Sequence, residues 1–551
     1  MESATTVQRP GRLTRRLLIA AAVFLVVVCV VLAVLWQSRI GLAERIVTDA
    51  LTSRGISNAS FRISMLGFKS IEVRDFAIAP GKDPDQPDLS AQRISISYRL
   101  GELLSGRVQS INVDELRINA RLGDKGLSLG AADPLLQLGG GGTSAGSALP
   151  DIHVSDAAIH LVTAQGTFDA IGAANLSQAD AAAPIAIELP ALRLSEFASP
   201  ARFEPVMLSA RLIYDNGRLD FDADGRTDPA KGAGVALAKV TGHYDVAGAR
   251  GSAKANGQLD FVPGKFAPKD LSSTLKNIVS DLNGRVAYRG DFSFAGSKIA
   301  SSGQATLSNV DFRVGSTIVK GVAGTIRLSN LMPPQTKGVQ TLSVAHVDTV
   351  VPLDNGHVKF EIGSGMAAHL VEATWPFTGG RLTLTSPAHV TNRYKLTVDK
   401  VDIEKLLLFA DIPGLSGTGT LSGEFPLKIV NGDPIITNGA ISSRGNGVII
   451  YSNEAADAAA NTEQTQLLSQ ALKNFHYTEL SGAVDGNVNG NLEFRIGLQG
   501  ANPSLYDGYP IHLNVNLQGS LADLIRRGTV GFRPLELIQS GVGTEKEANP
   551  K

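Results

Sequence analysis

Over most of its length this chain places an apolar residue at every second position, the signature of a strand with one apolar and one polar face. The pattern is plain in Val358, Phe360 and Ile362 of HVKFEI, Leu382 and Leu384 of RLTLT, and Tyr394, Leu396 and Val398 of YKLTV. It returns in Leu492, Phe494, Ile496 and Leu498 of LEFRIGL and in Leu513, Val515 and Leu517 of LNVNL. Between such runs stand Asn-Gly and Asp-Gly pairs at Asn216-Gly217, Asn256-Gly257, Asn283-Gly284, Asn355-Gly356, Asp485-Gly486 and Asn489-Gly490. These dipeptides supply the positive φ angles of tight hairpins, so each is expected to reverse the chain. The predicted fold class is mainly β, an elongated meander of antiparallel strands with a few short helices.

One segment departs from this period. Leu17 to Trp36 is twenty residues without a charge or a proline. At about 1.5 Å per residue it spans about 30 Å, one hydrocarbon core, and is predicted to be a transmembrane helix. Arg9, Arg12, Arg15 and Arg16 precede it with Glu2 as the one opposing acid, whereas Arg39 alone follows closely. That asymmetry places residues 1–16 in the cytoplasm, 17–36 in the membrane and the remainder outside it. A cleaved signal peptide would have a shorter apolar core and a small-x-small site after it, and WQSRIGLAER offers no convincing one. Residues Ile40 to Ser53 continue with Leu42, Ile46, Val47, Ala50 and Leu51 at helical spacing, ending at Arg54-Gly55.

Composition removes several function classes. Cys29, inside the apolar segment, is the only cysteine, so neither an internal disulfide nor a thiol metal site can form. Lys and Arg number 51 against 52 Asp and Glu, a formal charge of -1, which supplies no basic field for nucleic acid. The nine His show neither H-E-x-x-H nor H-x(3-5)-H spacing, so no metal site is predicted. Gly142-Thr143-Ser144-Ala145-Gly146 matches G-x-S-x-G but lacks the preceding apolar strand that a nucleophile elbow requires. Gly417, Gly419 and Gly423 miss the dinucleotide fingerprint by one residue and lie among strands. No catalytic residue and no cofactor is predicted.

A loose repeat runs through IEVRDFAI from Ile71, INVDELRI from Ile111, IHVSDAAI from Ile152 and, more weakly, LSNVDFRV from Leu307. Alternation slips a face at the acid in each, so Asp75, Glu115, Asp156 and Asp311 read as bulge or turn residues, and the period near 40 points to stacked β units. Helical spacing occurs over Pro268 to Leu282, Leu406 to Phe409 and Asn461 to Phe475, and Ser520 with Asp523 resembles an N-cap box for a last turn through Arg527. Each reads as a plug or cap on a sheet. LGGGGTSAGSALP, Leu138 to Pro150, is a flexible boundary.

An open sheet of this length must hide its apolar face. A second sheet could cover it, as in a filled sandwich, or it could curl into a trough whose lining takes an apolar guest. Alternation alone does not separate the two.

GVAGTIRLSNLMPPQTKGVQTLSV (Gly321 to Val344), ATWPFTGGRLTLTSP (Ala373 to Pro387) and VDIEKLLLFADIPGLSGTGTLSGEFPLKI (Val401 to Ile429) resemble the YdbH-like family of Gram-negative envelope proteins. That family is related to the AsmA-like group that includes TamB. NPSLYDGYPIHLNVNLQGSLADLIRRG (Asn502 to Gly528) is similar to its closing signature. The resemblance implies an inner-membrane-anchored periplasmic β trough that conducts phospholipid toward the outer membrane, with no enzymatic step. It divides the chain into an AsmA-like β segment over 37–138, the Gly-rich linker 139–150, a middle β segment over 151–310, a YdbH-like C-terminal domain over 311–530 and a tail, 531–551. The candidate lining is Val358, Phe360, Ile362, Leu382, Leu384, Leu396, Val398, Leu492, Phe494, Ile496, Leu513, Val515 and Leu517. Its expected partners are phospholipid acyl chains, the inner membrane and an outer-membrane or periplasmic protein. The rival is a periplasmic scaffold for outer-membrane proteins, with a filled core and edge strands that accept a partner.

Overall fold

A computed structural model describes the chain from Glu44 to Gly519 apart from short internal stretches, of which 80–86, 135–147 and 273–279 are the longest. The predicted tail 1–16, the span 17–36 with Cys29, the GTSAG match, the turn expected after Ser520 and the tail 531–551 lie outside the described residues. Among the described residues, no helix is long and apolar enough to cross a membrane. The chain forms two compact units, Met1–Thr306 with Leu328–Met332, and Leu307–Arg327 with Pro333–Lys551.

Both units are mainly β. In the first, Ala59–Leu66, Ser70–Ile78, Leu89–Ser97 and Ser110–Gly123 pair antiparallel in sequence order. Asp151–Thr163 follows, and from it antiparallel pairing runs strand to strand through to Ser280–Ala295. The junction corrects the expected all-antiparallel order: Ser110–Gly123 and Asp151–Thr163 pair parallel, Ile111 opposite Ile152 and Val113 opposite Val154. Parallel neighbours need a long crossover, and 124–150 supplies it. The 41-residue spacing of the second and third repeats is therefore a register, which brings equivalent residues side by side.

Three of the four repeat acids, Asp75, Glu115 and Asp156, sit at irregularities of their strands. Asp75 and Glu115 take φ of 54° and 52°, in the left-handed region where a short polar or flexible side chain is tolerated. Asp156 sits where pairing slips between Val154 and Ala157, and Asp311 accepts a hydrogen bond from Gly321 N at 2.7 Å.

In the second unit antiparallel pairing runs from Thr317–Leu331 through Gln340–Asp348, Leu353–Ile362, Ala368–Phe377, Gly380–Thr385, Arg393–Asp402, Thr420–Val430, Asp433–Ser443, Phe475–Asn487 and Leu492–Ala501 to Ile511–Gly519. Helices Ile403–Ala410 and Glu463–Leu472 interrupt it where helical spacing predicts them. The second is capped by Thr462, which accepts from Thr465 N, and ends before Phe475, which opens a strand. The helix expected over Pro268 to Leu282 does not form as such: a 3-10 turn covers Pro268–Asp270, 273–279 lie outside the described residues, and Leu282 belongs to the Ser280–Ala295 strand.

The Asn-Gly rule needs correction as well. Asn216-Gly217, with φ of 45° and 88°, makes a two-residue hairpin between Asp215 and Arg218, and Asn489-Gly490 lies in a connection. The other four pairs lie inside strands. Two of these glycines make room for aromatic side chains: a Cβ on Gly257 would stand 2.6 Å from the Tyr288 hydroxyl, and one on Gly356 would stand 2.1 Å from Trp375 Nε1. Thr378-Gly379 and Asn431-Gly432 also form two-residue hairpins, the first without an Asx residue.

Gly356→Ala should lower stability by about 1–3 kcal/mol, because the indole of Trp375 cannot move aside cheaply. Gly363→Ala, at a position with open space around it, should change stability by less than about 0.5 kcal/mol. Thermal or denaturant unfolding of the two variants measures the contrast.

Candidate functional site

Directly opposed residues in a sheet share a face, so the register shows which side chains meet. In the second unit one row runs Leu342, Val358, Ala373, Leu384, Leu396. Leu396 then opposes Phe425. A parallel row runs Trp375, Leu382, Val398, Gly423, Ile441, Gly482, Ile496, Val515. Val484 opposes Phe494, and Phe494 opposes Leu517, alongside it. Phe360 opposes Gln340 and Leu370, and Ile362 opposes Ala368. Sequence alternation thus places its candidate residues on one face across the eight strand pairings from Leu353–Ile362 to Ile511–Gly519, roughly 38 Å at ~4.8 Å each.

Most of that face is neither core nor plain surface. Val358, Phe360, Ile362, Leu382, Leu384, Leu396, Val398, Phe494, Ile496 and Val515 are all half-buried, where a filled sandwich would bury them fully. Leu492 and Leu513 are buried. Leu517 is in the Ile511–Gly519 strand, and its side chain lies outside the described residues.

The two buried positions mark places where other residues fill the face. Leu513 packs with Leu498, Leu480, Phe475 and Tyr477 under Leu468 and Leu472 of the Glu463–Leu472 helix. Tyr477 lies fully buried over Gly419 and Gly447, its hydroxyl donating to Thr418 O at 2.9 Å, and burial pushes its phenol pKa up. This helix is a plug, as its amphipathic spacing predicts. Leu492 packs with Ile436 and Val484 in a smaller cluster.

The first unit has a corresponding stripe that alternation-based selection of candidates missed. Leu176, Ile187, Leu212, Phe221, Gly242, Ala253 and Phe292 stand opposite one another across seven strands. All but Ala253 and the glycine are half-buried aliphatic or aromatic residues. The signal was present in RLDFDADG, where Leu219 and Phe221 alternate with Asp220 and Asp222. This unit also has a filled end, where Leu51 and Ile56 join Ile63, Ile71, Ile96 and Ile111 in a dry cluster.

The opposite faces carry charge in cross-strand and along-strand pairs. Lys359 meets Glu372 at 2.8 Å, Lys395 meets Glu424 at 3.1 Å and Arg495 meets Asp485 at 2.7 Å. In the first unit the Arg218 guanidinium holds the Asp220 carboxyl below its ordinary pKa by hydrogen bonding, and Arg285 does the same for Asp260. Such exposed pairs add little stability, but they keep one face wet while the other stays apolar.

The described residues gather little chemistry. No three His, Cys, Asp or Glu side chains among them are placed to hold a metal. His160 meets Asp169 at 2.6 Å beside a concavity of about 360 Å³ that Ser90 also lines. The Ser110–Gly123 strand lies between Ser90 and His160, since Ser90 opposes Arg117 and His160 opposes Asn119. Two strand spacings, about 10 Å, keep the hydroxyl out of hydrogen-bond reach of the imidazole, so no nucleophile-base pair forms.

What remains is two long apolar faces held half open, and the family comparison points the same way. The model for YdbH-like proteins, described as intermembrane phospholipid transport protein YdbH, matches residues 26–163 and 151–542. The chain belongs to the YdbH-like family. No curated protein and no solved structure matches it. The YdbH-like family is one of lipid transport rather than an enzyme class, and a large β-sheet with an apolar face fits that role.

The two kinds of apolar position should respond differently to charge. Leu492→Asp places a carboxylate in a packed cluster and should cost about 4 kcal/mol, whereas Leu396→Asp on the half-open face should cost about 1 kcal/mol. Denaturant midpoints of the two variants test this, and equal losses would show that the Leu396 row is core.

Proposed function

We propose that this YdbH-like protein is anchored in the inner membrane by residues 17–36 and carries phospholipid across the periplasm, with acyl chains lying on the half-open apolar faces. The observation that carries this reading is the register itself. Half-buried Leu, Val, Ile and Phe side chains oppose one another strand after strand, and among the described residues no second sheet buries them fully. The Arg-rich 1–16 before the apolar segment supports the anchor and its orientation.

Energetics explain why such a face suffices. Each methylene exposed to water costs about 0.8 kcal/mol, so a sixteen-carbon chain leaving a bilayer alone faces on the order of 12 kcal/mol. A surface that covers the chain along the way removes most of that barrier with no reaction step. Headgroups remain in water, which leaves the face indifferent to their charge and relieves it of any need for a cluster of cationic side chains.

The test uses a photo-crosslinking amino acid in the full chain in cells. Placed at Leu396 or Phe494 it should capture phospholipid; placed at Lys395 or Arg495, on the opposite face, it should not. Leu396→Asp should slow lipid transfer about tenfold, the equivalent of about 1.4 kcal/mol against an acyl chain beside a carboxylate. Equal labelling of both faces, or none, would reject the groove, and the reading would pass to a scaffold.

A further inference from the structure

The strands Ala59–Leu66 and Ser70–Ile78 join through Gly67, Phe68 and Lys69, and Gly67 N donates to Ser70 O at 2.9 Å to close the tip. This tip is braced from below. Tyr98, itself buried, donates its hydroxyl to the Gly67 carbonyl and its backbone N–H to Lys69 O at 2.9 Å. Yet Phe68 is 83 % exposed, the highest value for any large hydrophobic residue among those described, and Met65 two residues before the turn is 47 % exposed. A loose tip could fold its phenyl ring back onto the sheet. One held at both Gly67 and Lys69 keeps it outward.

A single exposed apolar residue is ordinary, and position gives this one meaning. Glu44, the first described residue, accepts a hydrogen bond from Ile63 N at 3.0 Å. The helical residues after it lead away from the tip, through Leu51 and Ile56 in the packed cluster, to Ala59, where the strand turns back toward Phe68. The chain before Glu44 is therefore joined to the half of the hairpin nearer its tip. From Ile63 to Phe68 is about 17 Å along the strand. From Glu44 back to Trp36, the last residue of the apolar segment, eight steps reach at most about 28 Å.

We propose that the Met65–Lys69 tip is a wedge that inserts into the interfacial zone of the bilayer holding residues 17–36. Phe68 and Met65 enter the acyl boundary, and Lys69 keeps its ammonium among the phosphates, a division of labour that suits a long amphipathic side chain beside aromatic ones. The wedge fixes the packed end of the first unit against the membrane surface and sets the tilt at which its sheet leaves it. A single-span tether alone would leave that orientation free. This inference rests on the membrane anchor of the proposed function.

The experiment keeps the full chain, with Cys29→Ala and Lys69→Cys, and attaches a polarity-sensitive fluorophore at position 69 in vesicles of phosphatidylethanolamine and phosphatidylglycerol. The expected result is a blue-shifted emission, quenched several-fold by lipids brominated near the headgroup, and loss of that quenching in Phe68→Ser. Emission typical of water, or quenching that Phe68→Ser leaves unchanged, in protein that resists carbonate extraction, would overturn the wedge while sparing the anchor. Release of the protein by carbonate would overturn the anchor and the wedge together.

Discussion

Everything in this structure depends on strand register. Because side chains alternate with a period of two, a slip of one residue between any two strands would send Leu396 to the wet face and Lys395 to the apolar one. The register is pinned locally. Tight hairpins at Asn216-Gly217, Thr378-Gly379 and Asn431-Gly432 fix three strand pairs, and aromatic residues seated over glycine fix others. Phe221 over Gly242, Tyr288 over Gly257 and Trp375 over Gly356 each leave room for one alignment, since a neighbour with a Cβ would meet the ring. A long apolar row is thus the sum of many short-range decisions.

Stability and exposure are divided between regions. In the first unit the N-terminal strands bury Ile63, Ile71, Ile96 and Ile111 under Leu51 and Ile56; in the second, the Glu463–Leu472 helix buries Phe475, Tyr477 and Leu480. Fully buried side chains of this kind are worth about 1.5–3 kcal/mol each. The rows between carry similar residues less completely covered, and their backbone is secured by the ladder on both sides. A sheet can keep part of its apolar face exposed when its packed regions supply the folding free energy.

Much of the fold was legible because its signal is local. Period-two alternation located strands such as Leu492–Ala501, and the Ile403–Ala410 and Glu463–Leu472 helices follow from spacing of three and four. Asp75, Glu115 and Asp156 were legible as irregular positions because alternation breaks at them in sequence. What sequence did not reveal depends on partners far along the chain. Asn256-Gly257 and Asn355-Gly356 read as turns until Tyr288 and Trp375 occupy the space their glycines leave. The parallel pairing of Ile111 with Ile152 is invisible to any local rule, since two strands of the same pattern pair in either direction. Leu513 and Leu396 look alike in sequence, and only the helix packed over one distinguishes them.

A half-open apolar face can discriminate little among the lipids laid on it. Its rows hold aliphatic and aromatic carbon, and the charged partners, Lys359 with Glu372 and Arg495 with Asp485, are spent on one another across the other side. Apolar contact is non-directional and grows with area, so such a surface distinguishes chain length and saturation weakly and headgroup identity hardly at all. Selectivity and direction on the proposed pathway must then come from where lipid enters and leaves, not from the rows between. A rigid element that holds one end of the sheet at a bilayer surface is the kind of feature that can supply it, because orientation decides which leaflet the apolar face meets.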